Sequence, residues 1–546
     1  MKTRRNLYAL TLTGAVALLV AGCSKTSAPA DVSTATPSAL APAAAAALAK
    51  TVHKHSDAPG INWFSGEVGA VFTAAKLERK PILLYWGASW CPPCQQLKST
   101  VFSRPDFIRK SRLFVPVYLD GDDVGAQKWG EQFHVSGYPT VVVLNADAQE
   151  LMRIAGGMDL GQYATVLDTA LADLQPAEAL LIAASSGKSL DLGPCRRLAF
   201  NSWEIENDDD TAANAKLSQQ LDAAVEHCPQ SAQIERARLQ IFAANFATQA
   251  EAETLKNNQP PSALLLAHVE TVNEVLANER IAVEVADALQ YLGENFFRTV
   301  KASDASSAAW LAHFVTVMDA AAADPDFAEA DQLGAIGSKL TAIKAIKGAI
   351  ATGVARAARA RVASALANTQ IPYVRSGIIN AVLPIYEALG QNEQAYKVVQ
   401  GELTKTATPY YYKADLGELA EGLGRKDEAL KWFAASYSEA RGPATRFQWG
   451  KRYASSLLRL QPEDAARIRN VTTEVLGELD GQDRIYRRAR MSLEDLDNAL
   501  RKWNTANKGA HHEVIVGLRE RMQQICGKIP KTEPAHASCD AFLASA

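Results

Sequence analysis

The stretch Ile82-Leu83-Leu84-Tyr85-Trp86-Gly87-Ala88-Ser89-Trp90-Cys91-Pro92-Pro93-Cys94 decides the reading of this chain. An apolar run suited to a buried strand stops at Gly87, and two cysteines spaced by two prolines follow almost at once. The pattern predicts a strand, a turn and the opening of a helix. Two cysteines in the first turn of a helix bring their sulfurs within bonding distance at little backbone cost. Cys91 falls at the helix N-terminus, where unpaired amides and the positive end of the dipole favour a thiolate, so it is the attacking sulfur. Cys94, one turn further in, is expected to be less exposed and to resolve the mixed disulfide. Pro92 and Pro93 fit there because first-turn amides have no partner inside the helix, and their missing N–H groups remove donors to the thiolate, which tunes the pair. Trp90 is placed to shield the sulfur and meet a partner. A metal site needs more ligands than this pair with His134, so neither metal nor cofactor is expected.

A second motif lies further on, Gly137-Tyr138-Pro139-Thr140, followed by the strand-like run Val141 to Leu144. With it the chain resembles the thioredoxin superfamily. There a cis proline packs beside the Cys-x-x-Cys pair and the backbone before it pairs with the substrate. The resemblance assigns those places to Pro139 and Tyr138, which with Trp90 form the expected substrate-binding set. The surrounding order fits as well: helix 67–78, strand 81–87, the helix from Pro92, strand 113–120, helix 123–133, hairpin 140–154 and helix 160–174. The lead-in helix and the Lys80-Pro81 approach look most like the C-terminal domains of thiol:disulfide interchange proteins. One departure stands out: many thioredoxins carry a buried acid six residues before the first cysteine, and this chain has Tyr85. No histidine lies between the cysteines, which together with the prolines leans toward a reductase or isomerase over a strong oxidase.

The N-terminus carries Lys2, Arg4 and Arg5, then an apolar run too short to span a membrane comfortably, ending Leu19-Val20-Ala21-Gly22-Cys23. It resembles a bacterial lipoprotein signal. That resemblance implies cleavage after residue 22, lipidation of Cys23, and a periplasm-facing protein anchored by lipid, with Ser24 pointing to the outer membrane. Residues 23–57, rich in Ala, Pro, Ser and Thr, read as a tether. Export makes disulfides possible, and four further cysteines remain: Cys195, Cys228, Cys526 and Cys539. Of three possible pairings, the local ones, Cys195 with Cys228 and Cys526 with Cys539, are favoured as structural bridges.

Residues 58–175 therefore read as an α/β thioredoxin-like domain and residues 176–546 as a large all-α region with apolar residues at helical spacing. Within it Leu389-Gly390-Gln391-Asn392-Glu393-Gln394-Ala395 recurs as Leu423-Gly424-Arg425-Lys426-Asp427-Glu428-Ala429, an offset of 34 residues. That is the tetratricopeptide period, and the units near 376–443 resemble that repeat, with Leu416-Gly417, Ala429, Phe433 and Ser436 at its packing places. Such arrays present concave surfaces, so a protein partner on the helices is expected, with Tyr410-Tyr411-Tyr412 either lining that surface or filling the core. Net charge is −3 with both signs interspersed, so nothing points to nucleic acid and no such partner is expected. The cluster Arg484, Arg487, Arg488 and Arg490 reads as a solvated helix face.

Two functions follow. In one, the chain is a thiol-disulfide oxidoreductase for exported proteins, reset by an upstream thiol-disulfide partner, with the helices recruiting a partner or substrate. In the other, it is a membrane-anchored scaffold whose thioredoxin-like domain binds without turnover.

Overall fold

The computed structural model describes residues 60–156, 160–203, 210–303, 307–482 and 484–544. The expected signal segment, lipidation at Cys23 and tether lie outside the described residues.

Among the described residues four strands form one mixed sheet in the order β2-β1-β3-β4, with β1 (Ile82–Gly87), β2 (Val115–Asp120), β3 (Thr140–Leu144) and β4 (Glu150–Ala155). Strand β1 runs parallel to β2 and antiparallel to β3, and β3 pairs antiparallel with β4. Helix α1 (Val68–Glu78) precedes β1, and α2 (Pro92–Leu97) follows it, continuing through a wider turn to Phe102. Helices α3 (Pro105–Ser111), α4 (Val124–Gln132) and α5 (Leu160–Ala172) complete the unit. The α3 helix was not expected from the sequence. Its signal is Pro105 in the first helical turn, a position where a proline loses no hydrogen bond.

Every residue of β1 is buried, as a strand covered on both faces must be. Alternation along it feeds two different cores. Ile82, Leu84 and Trp86 join a core that runs on through Leu333, Ile378 and Leu383 into the C-terminal helices. Leu83 and Tyr85 face the other way, into a core shared with Leu180, Leu198, Leu221 and Leu239. The sheet is thus held between the two halves of the helical region.

The repeat is visible in its backbone. Gly390 and Gly424 both adopt left-handed φ, 68° and 76°, just past the helices Pro372–Ala388 and Pro409–Gly422. The same capping bonds close each turn: Gln391 N to Tyr386 O at 2.8 Å and Arg425 N to Ala420 O at 2.9 Å. Gly417 sits under Phe433, whose ring atoms lie 2.9 Å from where a Cβ would be, so only glycine allows the two helices to approach this closely. Of the three tyrosines, Tyr410 and Tyr412 are buried in the core, and Ser436 donates to the Tyr410 carbonyl at 2.6 Å.

Disulfides join Cys195 to Cys228 and Cys526 to Cys539. The first ties the helix Leu192–Phe200 to the end of the helix Thr211–His227, and the second holds the last helix, Pro534–Ala541, against His512–Cys526.

Candidate active site

Cys91 is the N-cap of α2, and Cys94 lies in its first turn, with the two joined as a disulfide at a Cα separation of 5.2 Å. The Cys94 amide donates to the Cys91 sulfur at 3.2 Å, the contact that would stabilise a thiolate there once the bond is reduced. The Tyr138-Pro139 peptide is cis, and the Cys91 sulfur lies 3.5 Å from the Tyr138 carbonyl oxygen. Tyr138 is itself fixed: its hydroxyl donates to the Gly121 carbonyl at 2.9 Å and accepts from the Gln127 amide at 2.8 Å. A Cβ on Gly121 would clash with the Cε2, Cζ and hydroxyl of Tyr138, so glycine is required where β2 ends. The pair, Trp90 and the Tyr138-Pro139 loop therefore meet at one edge of the sheet, where β1 and the parallel β2 both end.

That edge also brings in Asp122, which the sequence reading missed. Its carboxylate accepts from the Trp90 indole at 2.9 Å and from the hydroxyl of Thr445 in the helix Pro443–Leu460. Burial holds the Asp122 carboxyl above its ordinary range, with repulsion from Asp120 adding to it and the Thr445 bond, Arg488 and Trp90 opposing it. The available signal was topological: a residue just past β2 must stand beside those just past β1. Tyr85, at the place of the acid seen in many thioredoxins, is fully buried and packs edge-on against Phe102 at 4.9 Å.

Cys94 is the less exposed of the pair, as expected, but both cysteines are covered: Cys91 is 1% exposed and Cys94 0%. One expectation requires correction: the arginines do not form a solvated face. In the helix Arg487–Ala506, Arg488 lies over the Tyr138 ring at 4.3 Å and the Trp90 ring at 5.9 Å, and Arg490 pairs with Glu131 at 2.6 Å. Arg487 is buried and donates to Ser136 at 3.2 Å, while Arg484 alone stays largely in solvent, beside Glu533. The burial of Cys91 and of the arginines has one cause, the packing of the C-terminal helices over the dithiol. Tyr411 stacks on Trp90 at 6.2 Å and Trp449 meets it edge-on at 5.3 Å. Trp90 does meet a partner here, and the partner is the chain's own helical region.

No curated protein matches the chain. Among solved structures, a circular tandem repeat protein with novel repeat topology and enhanced subunit contact surfaces matches over 70% of this chain and 81% of its own, at 14% identity and a TM-score of 0.18, too low to imply a common fold. The family model that matches is that of the thioredoxin-like domain, over residues 69–171. The chain thus carries a thioredoxin-like domain, followed by a large, all-helical, tetratricopeptide-like region.

Proposed function

We propose that this protein is a thiol-disulfide oxidoreductase acting on exported proteins through Cys91 and Cys94. The observation that carries this reading is a sulfur pair at a helix start, 3.5 Å from the carbonyl that precedes a cis proline. In the reduced enzyme the Cys91 thiolate attacks one sulfur of a substrate disulfide. A mixed disulfide forms and the second substrate sulfur leaves as a thiolate. Cys94, deprotonated, then attacks the Cys91 sulfur, releasing the first substrate thiolate and leaving Cys91 bonded to Cys94. The substrate gains two electrons and, from solvent, two protons. A dithiol donor of the same chemical class restores the reduced pair by the reverse exchange.

Trp90 and Tyr138 flank the attacking sulfur, and Pro139 fixes the loop that would pair with a substrate strand. Pro92 and Pro93 withhold donors from the thiolate, which with the absence of a histidine between the cysteines favours reductase or isomerase action. The cellular setting consistent with the N-terminal sequence is the periplasmic side of a bacterial envelope, with Cys23 lipidated. Radiolabelled palmitate incorporation lost in Cys23→Ala tests that placement.

Cys94→Ala is the direct test of the chemistry, since it stops resolution and leaves substrates attached to Cys91. Discrete mixed disulfides, absent from the Cys91→Ala/Cys94→Ala control, are the expected result. If none form while proteins co-purify without a covalent bond, the chain is instead a membrane-anchored scaffold. The burial of the dithiol under the chain's own helices favours that second reading.

A further inference from the structure

We propose that the helical region is an intramolecular lid on the dithiol, and that a protein disulfide reaches Cys91 only when the helices Pro443–Leu460 and Arg487–Ala506 release the Trp90 face. The inference rests on the oxidoreductase reading and adds to it the condition under which the site works.

Exchange requires a substrate sulfur to approach the Cys91 sulfur in line, flanked by a length of chain. Among the described residues, the side chains that would meet such a substrate are covered. Cys91 is 1%, Tyr138 4% and Trp90 8% exposed, although a substrate would have to lie across all three. What covers them has the anatomy of the core of a protein interface, with aromatic groups at the centre and polar pairs around them, of which Thr445 and Arg487 are themselves buried. Tyr411, Trp449 and Arg488 hold Trp90 at the centre. Around it lie Asp122 with Thr445, Glu131 with Arg490, and Ser136 with Arg487. Gly442, at φ 81°, brings its backbone so close to Asp122 that a Cβ would stand 2.8 Å from the Asp122 Cβ. On the other flank, Gln96 donates to Asp331 at 3.0 Å, beside a cavity of about 250 Å³ lined in part by Pro93, Gln96, Asp331, Gly334 and Gly377.

Size-graded alkylation of the full-length Cys94→Ala protein tests the lid, with Cys91 as the reporting thiol. The lid predicts that iodoacetamide modifies Cys91 at least tenfold faster, relative to a free cysteine peptide, than a 5 kDa polyethylene glycol maleimide does. Arg490→Glu, which sets like charges face to face with Glu131, should raise the polymer rate about tenfold, and Glu131→Arg in the same chain should return it. Equal relative rates for the two reagents in the parent protein overturn the lid whatever the variants do. So does an unchanged polymer rate in an Arg490→Glu protein whose circular dichroism and melting match the parent. The two readings fail differently. An opened variant that alkylates quickly but traps no substrate sinks the oxidoreductase and keeps the lid, whereas equal trapping by the parent and Arg490→Glu proteins sinks the lid and keeps the oxidoreductase.

Discussion

Asp122 shows how one side chain can join the chemistry to the cover above it. It accepts from Trp90 on the redox side and from Thr445 on the helical side, at a position where burial disfavours its charge. Its folded pKa is raised above the ordinary 3.8, so between those two values the folded state binds more protons than the unfolded chain. Stability therefore falls as pH rises through that window, and the penalty is complete above it. Asp122→Asn removes the titration. Thermal melting of the two proteins across about pH 4 to pH 7 should show the parent losing ground to the variant as pH rises, and parallel curves would refute the assignment. Gly121 makes a second prediction at the same scale. An alanine there must push the Tyr138 ring from its place between Gly121 and Arg488, which should cost roughly 1–3 kcal/mol in chemical denaturation.

At the scale of elements, the sequence was legible wherever the signal was local. The dithiol turn, the buried apolar strand before it and the Leu-Gly turns of the repeat all depend on neighbours within a few residues, and each appears where the pattern put it. Gly417 could be read because its repeat fixes the distance to Phe433. The fate of Tyr411, Trp449 and Arg488 could not be read. Each sits on a helix with both buried and exposed positions, and what faces it is set by packing against residues more than three hundred positions away. A basic cluster on a helix looks solvated until another surface supplies its carboxylates and rings. The helical elements carry their own prediction. Gly417→Ala should destabilise the helix pair by about 1–3 kcal/mol, because the ring of Phe433 is itself buried and has little room to yield. The disulfides should differ in weight as well. By the chain-entropy relation, removing Cys195–Cys228, which spans 33 positions, costs about 4 kcal/mol, and removing Cys526–Cys539, which spans 13, about 3. Denaturant midpoints of the two serine double variants give the order.

For the whole molecule the sheet is the joint. One face of β1 contributes Trp86 to the core that continues into the C-terminal helices, and the other contributes Tyr85 to the core of the helices Ala177–Ser185 through Gln233–Ala250. A thioredoxin-like domain merely tethered to a helical array would melt by itself. This one shares its core on both sides, so calorimetry should show one main transition. Trp86→Ala, which removes a fully buried ring, should lower that transition as a unit, at a cost of about 3–5 kcal/mol. Two separated transitions, with only the smaller one shifted, would disprove the shared core. Opening of the lid is compatible with it, because the partly exposed pair of Arg490 with Glu131 can part locally while β1 and the helix Pro372–Ala388 stay packed. Native-state hydrogen exchange separates the two events. Amides of the helix Arg487–Ala506 should exchange through a smaller opening free energy than those of β1, and Arg490→Glu should accelerate the helix while leaving β1 near its global limit. Equal protection of both elements, moving together in the variant, would mean that the dithiol is uncovered only when the protein unfolds.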